Sequence, residues 1–259
     1  MRQWIGHALA RYLTAPGRTA TIGYPTDNAL LAACVRPGDV ILVDGDSRVS
    51  AVIKYLTQST WSHAALYVGP IGSGAAVGAE PPSVVEADMH DGVRAVPLAA
   101  YTGRHCRICR PASLSADEVR AVCAFAVQSI GHRYDLKNIV DLARYLLPTL
   151  PVPMHWRRHM LALGSGDPTR AICSTLIAQA FESVRYPILP IIEEDVLNDP
   201  GCEVCVRQIL HVRHYSLYAP RDFDVSPYFE VVKPTLSQGF DHHALVWAPA
   251  PAQAIARPA

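Results

Sequence analysis

The sequence predicts an α+β domain in which an antiparallel sheet packs against helices. Three observations lead there. Short apolar runs rich in branched residues succeed one another as far as Arg110. Helical periodicity takes over from Ser115. Strands first and helices after is the order of an α+β domain, because hairpin-connected strands form the sheet before the helices cover it.

The elements follow in chain order. Trp4, Ile5, Ala8, Leu9, Tyr12 and Leu13 fall on one face at helical spacing, and Pro16-Gly17 ends that stretch. Arg36-Pro37-Gly38-Asp39 reads as a turn, and Val40-Ile41-Leu42-Val43 as a buried strand closed by Asp44-Gly45-Asp46. Residues 50–56 read as a helix. A second strand covers 63–68 and stops at Gly69, and a Gly/Pro-rich loop runs over 70–82. Strands are expected at 83–87, 92–96 and 105–110. Ser115 with Glu118 three places on is a capping box that opens a helix containing Val119, Val122, Phe125 and Ala126. A helix is expected over 134–147, stopped by Pro148, and another over 174–184. The tail from Tyr186 is Pro-punctuated and reads as irregular.

The domain reading is an N-terminal amphipathic helix over 1–16, a single domain with a C-terminal extension over 17–248, and an Ala/Pro-rich tail over 249–259 expected to be disordered. Lys plus Arg and Asp plus Glu number 23 each, so there is no basic excess and no nucleic-acid partner is expected. Hydrophobic residues make up 50% of the 259, ample for a core without a disulfide framework, so most of the seven cysteines are expected to be reduced. No apolar run approaches the roughly 18 residues of a membrane span. His7 and Arg11 interrupt the N-terminal apolar residues, unlike a secretory leader, and a cytoplasmic location is expected. Trp4 flanked by Arg2 and Arg11 also suits a peripheral membrane contact through residues 1–16, whereas a plain amphipathic helix would pack on its own domain.

Three residues are candidates for chemistry. A nucleophilic thiol needs a lowered pKa, a neighbouring base and a group that orients the base. Cys173 follows a Gly/Pro loop and immediately precedes a predicted helix, whose unpaired N–H groups stabilise a thiolate and can hold an oxyanion. On position alone it reads more readily as a buried structural cysteine. His63 begins an apolar strand, where its ring can project into a cleft or sit half-buried in the fold. Glu86 lies between Val85 and Ala87, where a carboxylate is costly unless paired, or else it faces solvent. If its strand neighbours that of His63, Glu86 can accept a hydrogen bond from the far ring nitrogen. Taken singly, each fits a structural role better than a catalytic one.

Their order carries more information. Arg36-Pro37-Gly38-Asp39-Val40-Ile41-Leu42, Ser62-His63-Ala64-Ala65-Leu66-Tyr67-Val68-Gly69, Val84-Val85-Glu86-Ala87, Gly131-His132-Arg133-Tyr134-Asp135 and Ile172-Cys173-Ser174 together resemble the circularly permuted, NlpC-type papain-like cysteine hydrolases, and most of all their YiiX-like group. In ordinary papain-like enzymes the cysteine helix precedes the histidine strand; here it follows, as in the permuted group. The resemblance covers roughly residues 36–185. It implies a permuted papain-like fold and a triad of Cys173, His63 and Glu86, with Tyr134 supporting the oxyanion or shaping the pocket, or else packing in the core. It implies no cofactor. It implies a small amide substrate, such as a cell-wall peptide or an amino-acid conjugate. The alternatives are a lipid acyl substrate, hydrolysed or transferred at a membrane surface by the same triad, and a non-catalytic binding module that keeps the fold. The family often closes with an aromatic-Pro-Asp element, which the stretch from Tyr218 to Phe223 resembles.

Two Cys-x-x-Cys pairs, Cys106/Cys109 and Cys202/Cys205, suggest zinc, with His211 and His214 close to the second. The first pair falls in a predicted strand, where positions three apart point to opposite faces, and neither pair has a knuckle glycine. No metal is therefore expected. The basic cluster His155, Arg157, Arg158 and His159 reads as a solvated face, with attraction to an anionic headgroup or peptide as the functional alternative. His242-His243 is assigned no role.

Overall fold

The computed structural model describes residues 15, 24–72, 80–88, 91–132, 172–197, 205–237 and 239–247. The expected helices over 4–13 and 134–147, Tyr134, the basic cluster, Cys202 and the tail over 249–259 lie outside the described residues.

The Arg36–Asp39 turn sets the start of the sheet. Asp39 accepts the Arg36 N–H through Oδ2 at 2.8 Å. Arg110 grips the same carboxylate with Nε at 2.9 Å and Nη2 at 2.8 Å. Gly38 sits at φ +92°, which L side chains rarely adopt, and a Cβ there would lie 3.3 Å from Val119. From this turn β1 (Val40–Asp44) enters the core with every residue buried. Val40 and Leu42 face one apolar cluster, and Ile41 and Val43 the other. A strand covered on both faces reads as a continuous apolar run, and that is what the sequence shows.

Beside β1 lie β2 (His63–Tyr67), β3 (Val84–Asp88), β4 (Gly92–Val96), β5 (His105–Pro111) and β8 (Phe229–Val232). They form an antiparallel six-stranded sheet in the order β4-β3-β2-β1-β5-β8. Two elements, β6 (Ile191–Leu197) and β7 (Cys205–His211), form a separate hairpin. The tail is thus not irregular: it holds this hairpin and an edge strand of the main sheet. Neither β6, with three acids in mid-run, nor the four-residue β8 carries clean alternation, and their pairing comes from tertiary contact.

Helices cover both faces. Among the described residues they are, in chain order, α1 (Asn28–Cys34), α2 (Arg48–Thr57), α3 (Ala116–Gln128), α4 (Ile172–Glu182), α5 (Pro220–Val225) and α6 (Pro234–Ser237). The capping box of α3 forms as expected: Ser115 Oγ accepts the Glu118 N–H, and Glu118 Oε2 accepts the Ser115 N–H at 2.8 Å. Helix α4 lies against β2, β3 and α3, with Leu176, Ile177, Ala178, Ala180 and Phe181 buried. Phe181 packs with Tyr186 and edge-on with Phe229, at centroid distances of 5.5 and 5.2 Å. Burying one such ring contributes about 2–3 kcal/mol, so this cluster anchors the helix that carries Cys173. The opposite face is closed by Leu31, Leu98 and Tyr101, the last two in a 3₁₀ turn over Leu98–Tyr101. Among the described residues, no helix is long and apolar enough to cross a membrane.

Candidate active site

The end of β1 determines where His63 enters. Gly45 donates its N–H to Ser62 Oγ at 2.9 Å, and Ser62 donates its own N–H to Val43 O at 3.1 Å. A Cβ on Gly45 would lie 2.4 Å from Ser50 Oγ and 2.8 Å from Ser62 Oγ, so only glycine leaves room for this seam. Beneath it the buried Lys54 ammonium donates to Asp44 Oδ1 at 2.7 Å and to Gly45 O at 2.8 Å. Trp61 is fixed from the other side: its Nε1–H donates to Asp224 Oδ2 at 3.0 Å, Arg107 lies over its ring at 4.9 Å, and His105 stacks on it at 5.2 Å. Tyr218 and Phe223 are buried in the core that holds α4, and Asp222 accepts the Ala219 N–H at 2.9 Å. The aromatic-Pro-Asp stretch thus packs under this side of the sheet.

The β2–β3 ladder then opens. Pairing runs through Tyr67↔Val84 and Leu66↔Val85 and goes no further toward His63. Val68 donates its N–H to Ser83 O, so by alternation the Ala64 N–H also points toward β3, into the opening. Cys173, one residue into α4, takes that place. Its sulfur accepts the Ala64 N–H and hydrogen-bonds with the His63 side chain. Cys173 is 5% exposed and the His63 side chain 26%, so the pair sits below the surface with the ring reaching solvent.

Glu86 closes the chain of contacts. His63 Nε2 lies 2.8 Å from Glu86 Oε2. A carboxylate only accepts, so Nε2 carries the proton and Nδ1 is left toward Cys173. Glu86 also accepts from Tyr101 Oη at 2.6 Å, from Arg94 Nε at 2.9 Å and from Arg94 Nη2 at 2.8 Å. Burial works to raise its carboxyl, but the hydrogen bonds from His63, Tyr101 and Arg94 outweigh it and hold the group at about 2. Burial alone would depress the His63 imidazole. Its bonds to Cys173 and Glu86 instead raise it to about 10. Burial would also push up the Cys173 thiol, but His63 and the Ala64 N–H bring it below its ordinary value. All three shifts favour a thiolate–imidazolium pair over a carboxylate.

The structure therefore brings together Cys173, His63 and Glu86, three of the four expected site residues; Tyr134 lies outside the described residues. Arg94 and Tyr101 were not anticipated. Arg94 had only a partial sequence signal: Asp91-Gly92 marks a hairpin between the two strands, but the register that sets residue 94 across from residue 86 comes from the folded pairing. Tyr101 had none, because it reaches Glu86 from the 3₁₀ turn after β4.

Cys106 and Cys109 project to opposite sides of the sheet, one into each apolar cluster, and burial pushes both thiols up to about 12. Neither is a ready metal ligand. Among the described residues, the exposed Asp241, His242 and His243 bring three ligand atoms within 4.8 Å of one another, and Asp241 already accepts the His243 N–H. A cavity of about 560 Å³ beside Trp61 is lined by Lys54, His105, Arg107, Arg221 and Asp224, and by none of Cys173, His63 and Glu86.

A thiol at a helix start, an imidazole and an ionised carboxylate in sequential contact are an arrangement that can support thiol-dependent acyl chemistry. Residues 34–145 match the model of a family described as permuted papain-like amidase enzyme, YaeF/YiiX, C92 family. The likeness expected from the motifs is thereby shown over that span, and the mixed fold of helices and antiparallel sheet is consistent with a permuted papain-like one. The matched family is described as one of amidases. The matched span contains His63 and Glu86, and Cys173 lies beyond it. The chain is also similar to the crystal structure of the metalloprotein yiiX from Escherichia coli O157:H7, at 17% identity and a TM-score of 0.44, over 76% of this chain and 96% of that one. No curated protein matches.

Proposed function

We propose that this protein hydrolyses an amide through an acyl-enzyme on Cys173, with His63 as base and acid and Glu86 as the group that orients His63. The observation that carries the reading is the unbroken contact from the Cys173 sulfur through His63 to the Glu86 carboxylate. In the resting pair the thiol proton already sits on His63. The thiolate attacks the amide carbon, and the carbonyl oxygen becomes an oxyanion facing the N–H groups at the start of α4. As the C–N bond breaks, His63 delivers its proton to the leaving nitrogen and a thioester remains. Water then gives a proton to His63 and attacks the thioester; the C–S bond breaks, releasing the acid and restoring the pair. A small peptide or amino-acid conjugate is preferred over a lipid acyl chain because the matched family is described as amidase.

The test is site-resolved alkylation. With limiting iodoacetamide, peptide mapping is expected to show Cys173 modified at least about tenfold faster than any other cysteine at pH 6, where ordinary thiols of pKa about 8.5 are almost wholly protonated. Turnover should follow the same groups. It needs the thiolate, present above the lowered Cys173 value, and the imidazolium, lost as pH rises through about 10. Activity is thus expected to be established by neutral pH and to fall only near pH 10. Equal labelling of all exposed thiols, or activity that first appears through the ordinary thiol range, contradicts the proposal.

A further inference from the structure

We propose that Tyr101 and Arg94 are positioning residues: together they occupy Glu86 so fully that it steers His63 but does not take its proton. The inference rests on the catalytic reading above. A carboxylate offers about four acceptor sites. On Glu86, Oε1 receives Arg94 Nε and Nη2 at 2.9 and 2.8 Å, and Oε2 receives Tyr101 Oη at 2.6 Å and His63 Nε2 at 2.8 Å. Both oxygens are held, so the plane of the group is fixed with Oε2 toward the imidazole.

The two holders are themselves anchored. Arg94 is the direct cross-strand partner of Glu86; its Nη1 reaches Asp91 at 2.5 Å, and the Nη2 that holds Glu86 also lies 3.5 Å from Asp88. Tyr101 is 6% exposed and packed among Leu31, Leu98 and Val84 of the second apolar cluster. The charged and titratable groups around Glu86 are His63 from β2, with Cys173 of α4 behind it, Arg94 from β4, Tyr101 from the 3₁₀ turn, and Asp88 and Asp91 on the far side of Arg94. Cys106 of β5 lies beside Tyr101.

The consequence is a pH range. Both residues donate to the ionised form of Glu86, and removing either raises its pKa from about 2 toward its ordinary 4.5. As pH falls through the raised value the carboxylate neutralises, and it then neither orients His63 nor supports its charge. The thiolate–imidazolium pair should therefore fail at higher pH in the variants.

The experiment measures iodoacetamide modification of Cys173 across pH 4 to pH 8 in the full chain and in Tyr101→Phe, Arg94→Gln and Arg94→Lys. Expected is a fall of about threefold or more in the ratio of the pH 4.5 rate to the pH 8 rate in Tyr101→Phe and Arg94→Gln. Arg94→Lys, which keeps the charge, is expected to lie between. A purely structural role would lower the rates at all pH values together and leave the ratio unchanged, and that result overturns the proposal. If unmodified Cys173 is itself slow at pH 6, the catalytic reading fails first. If it is fast and the variants keep its ratio, only the positioning role fails.

Discussion

Cys173→Ala is expected to remove amide hydrolysis to background, a loss of about 10⁴–10⁶-fold in kcat, the range found when a nucleophile is deleted from a triad of this type. The substitution takes away the atom that forms the acyl-enzyme, and nothing else in the site replaces it. Three other described cysteines are unsuited: Cys106 and Cys109 are buried on opposite faces with thiols near 12, and burial pushes Cys123 up to about 11. Folding should survive, because Cys173 contributes one small side chain while Leu176, Ile177 and Phe181 hold α4 in the core. Steady-state hydrolysis of a peptide amide, with thermal unfolding as control, measures this. Activity within tenfold of the unchanged protein would move the nucleophile elsewhere.

His63→Ala is expected to cost a comparable factor, on the order of 10⁴–10⁶, and the double variant with Cys173→Ala should be no worse than either alone. The reason is physical. Without the imidazole the thiol loses the cation that lowers its pKa, and burial then drives it upward. It also loses the only described group placed to protonate the leaving nitrogen. Nucleophile and base thus act as one unit, and deleting half removes the whole effect. Losses that multiply in the double variant would show that the two residues act independently, contrary to their contact.

Much of this arrangement was legible in the chain itself. The run from Val40 to Val43 announced a strand buried on both faces, and Ser115 with Glu118 marked the start of α3. The order of His63, Glu86 and Cys173 pointed to a permuted site before any geometry was available. Other parts were hidden for identifiable reasons. α1 has seven residues with a single strong apolar anchor, Leu31, and its clearest mark is the Asp27 cap, which accepts from Ala29 and Leu30. β8 enters the sheet by pairing with β5 across more than a hundred residues, which no local pattern encodes. The gap between β2 and β3 was also invisible, since Ala64 and Ala65 look like any strand interior. Yet the ladder stops there, and the unpaired Ala64 N–H meets the thiol. Glu86 posed the reverse problem. Its cost in an apolar run was evident, but its relief by Tyr101 required a contact that only the folded chain makes.

The most direct test is to trap the acyl group. The protein is mixed with p-nitrophenyl acetate, quenched in acid within the first turnover, digested and mapped by mass spectrometry. The expected result is one acetyl group on the peptide containing Cys173, formed with a burst of nitrophenol and absent in His63→Ala on the same timescale. An acetyl group on any other residue, or turnover with no acylated Cys173 at any time, would contradict the assignment of Cys173 as the nucleophile.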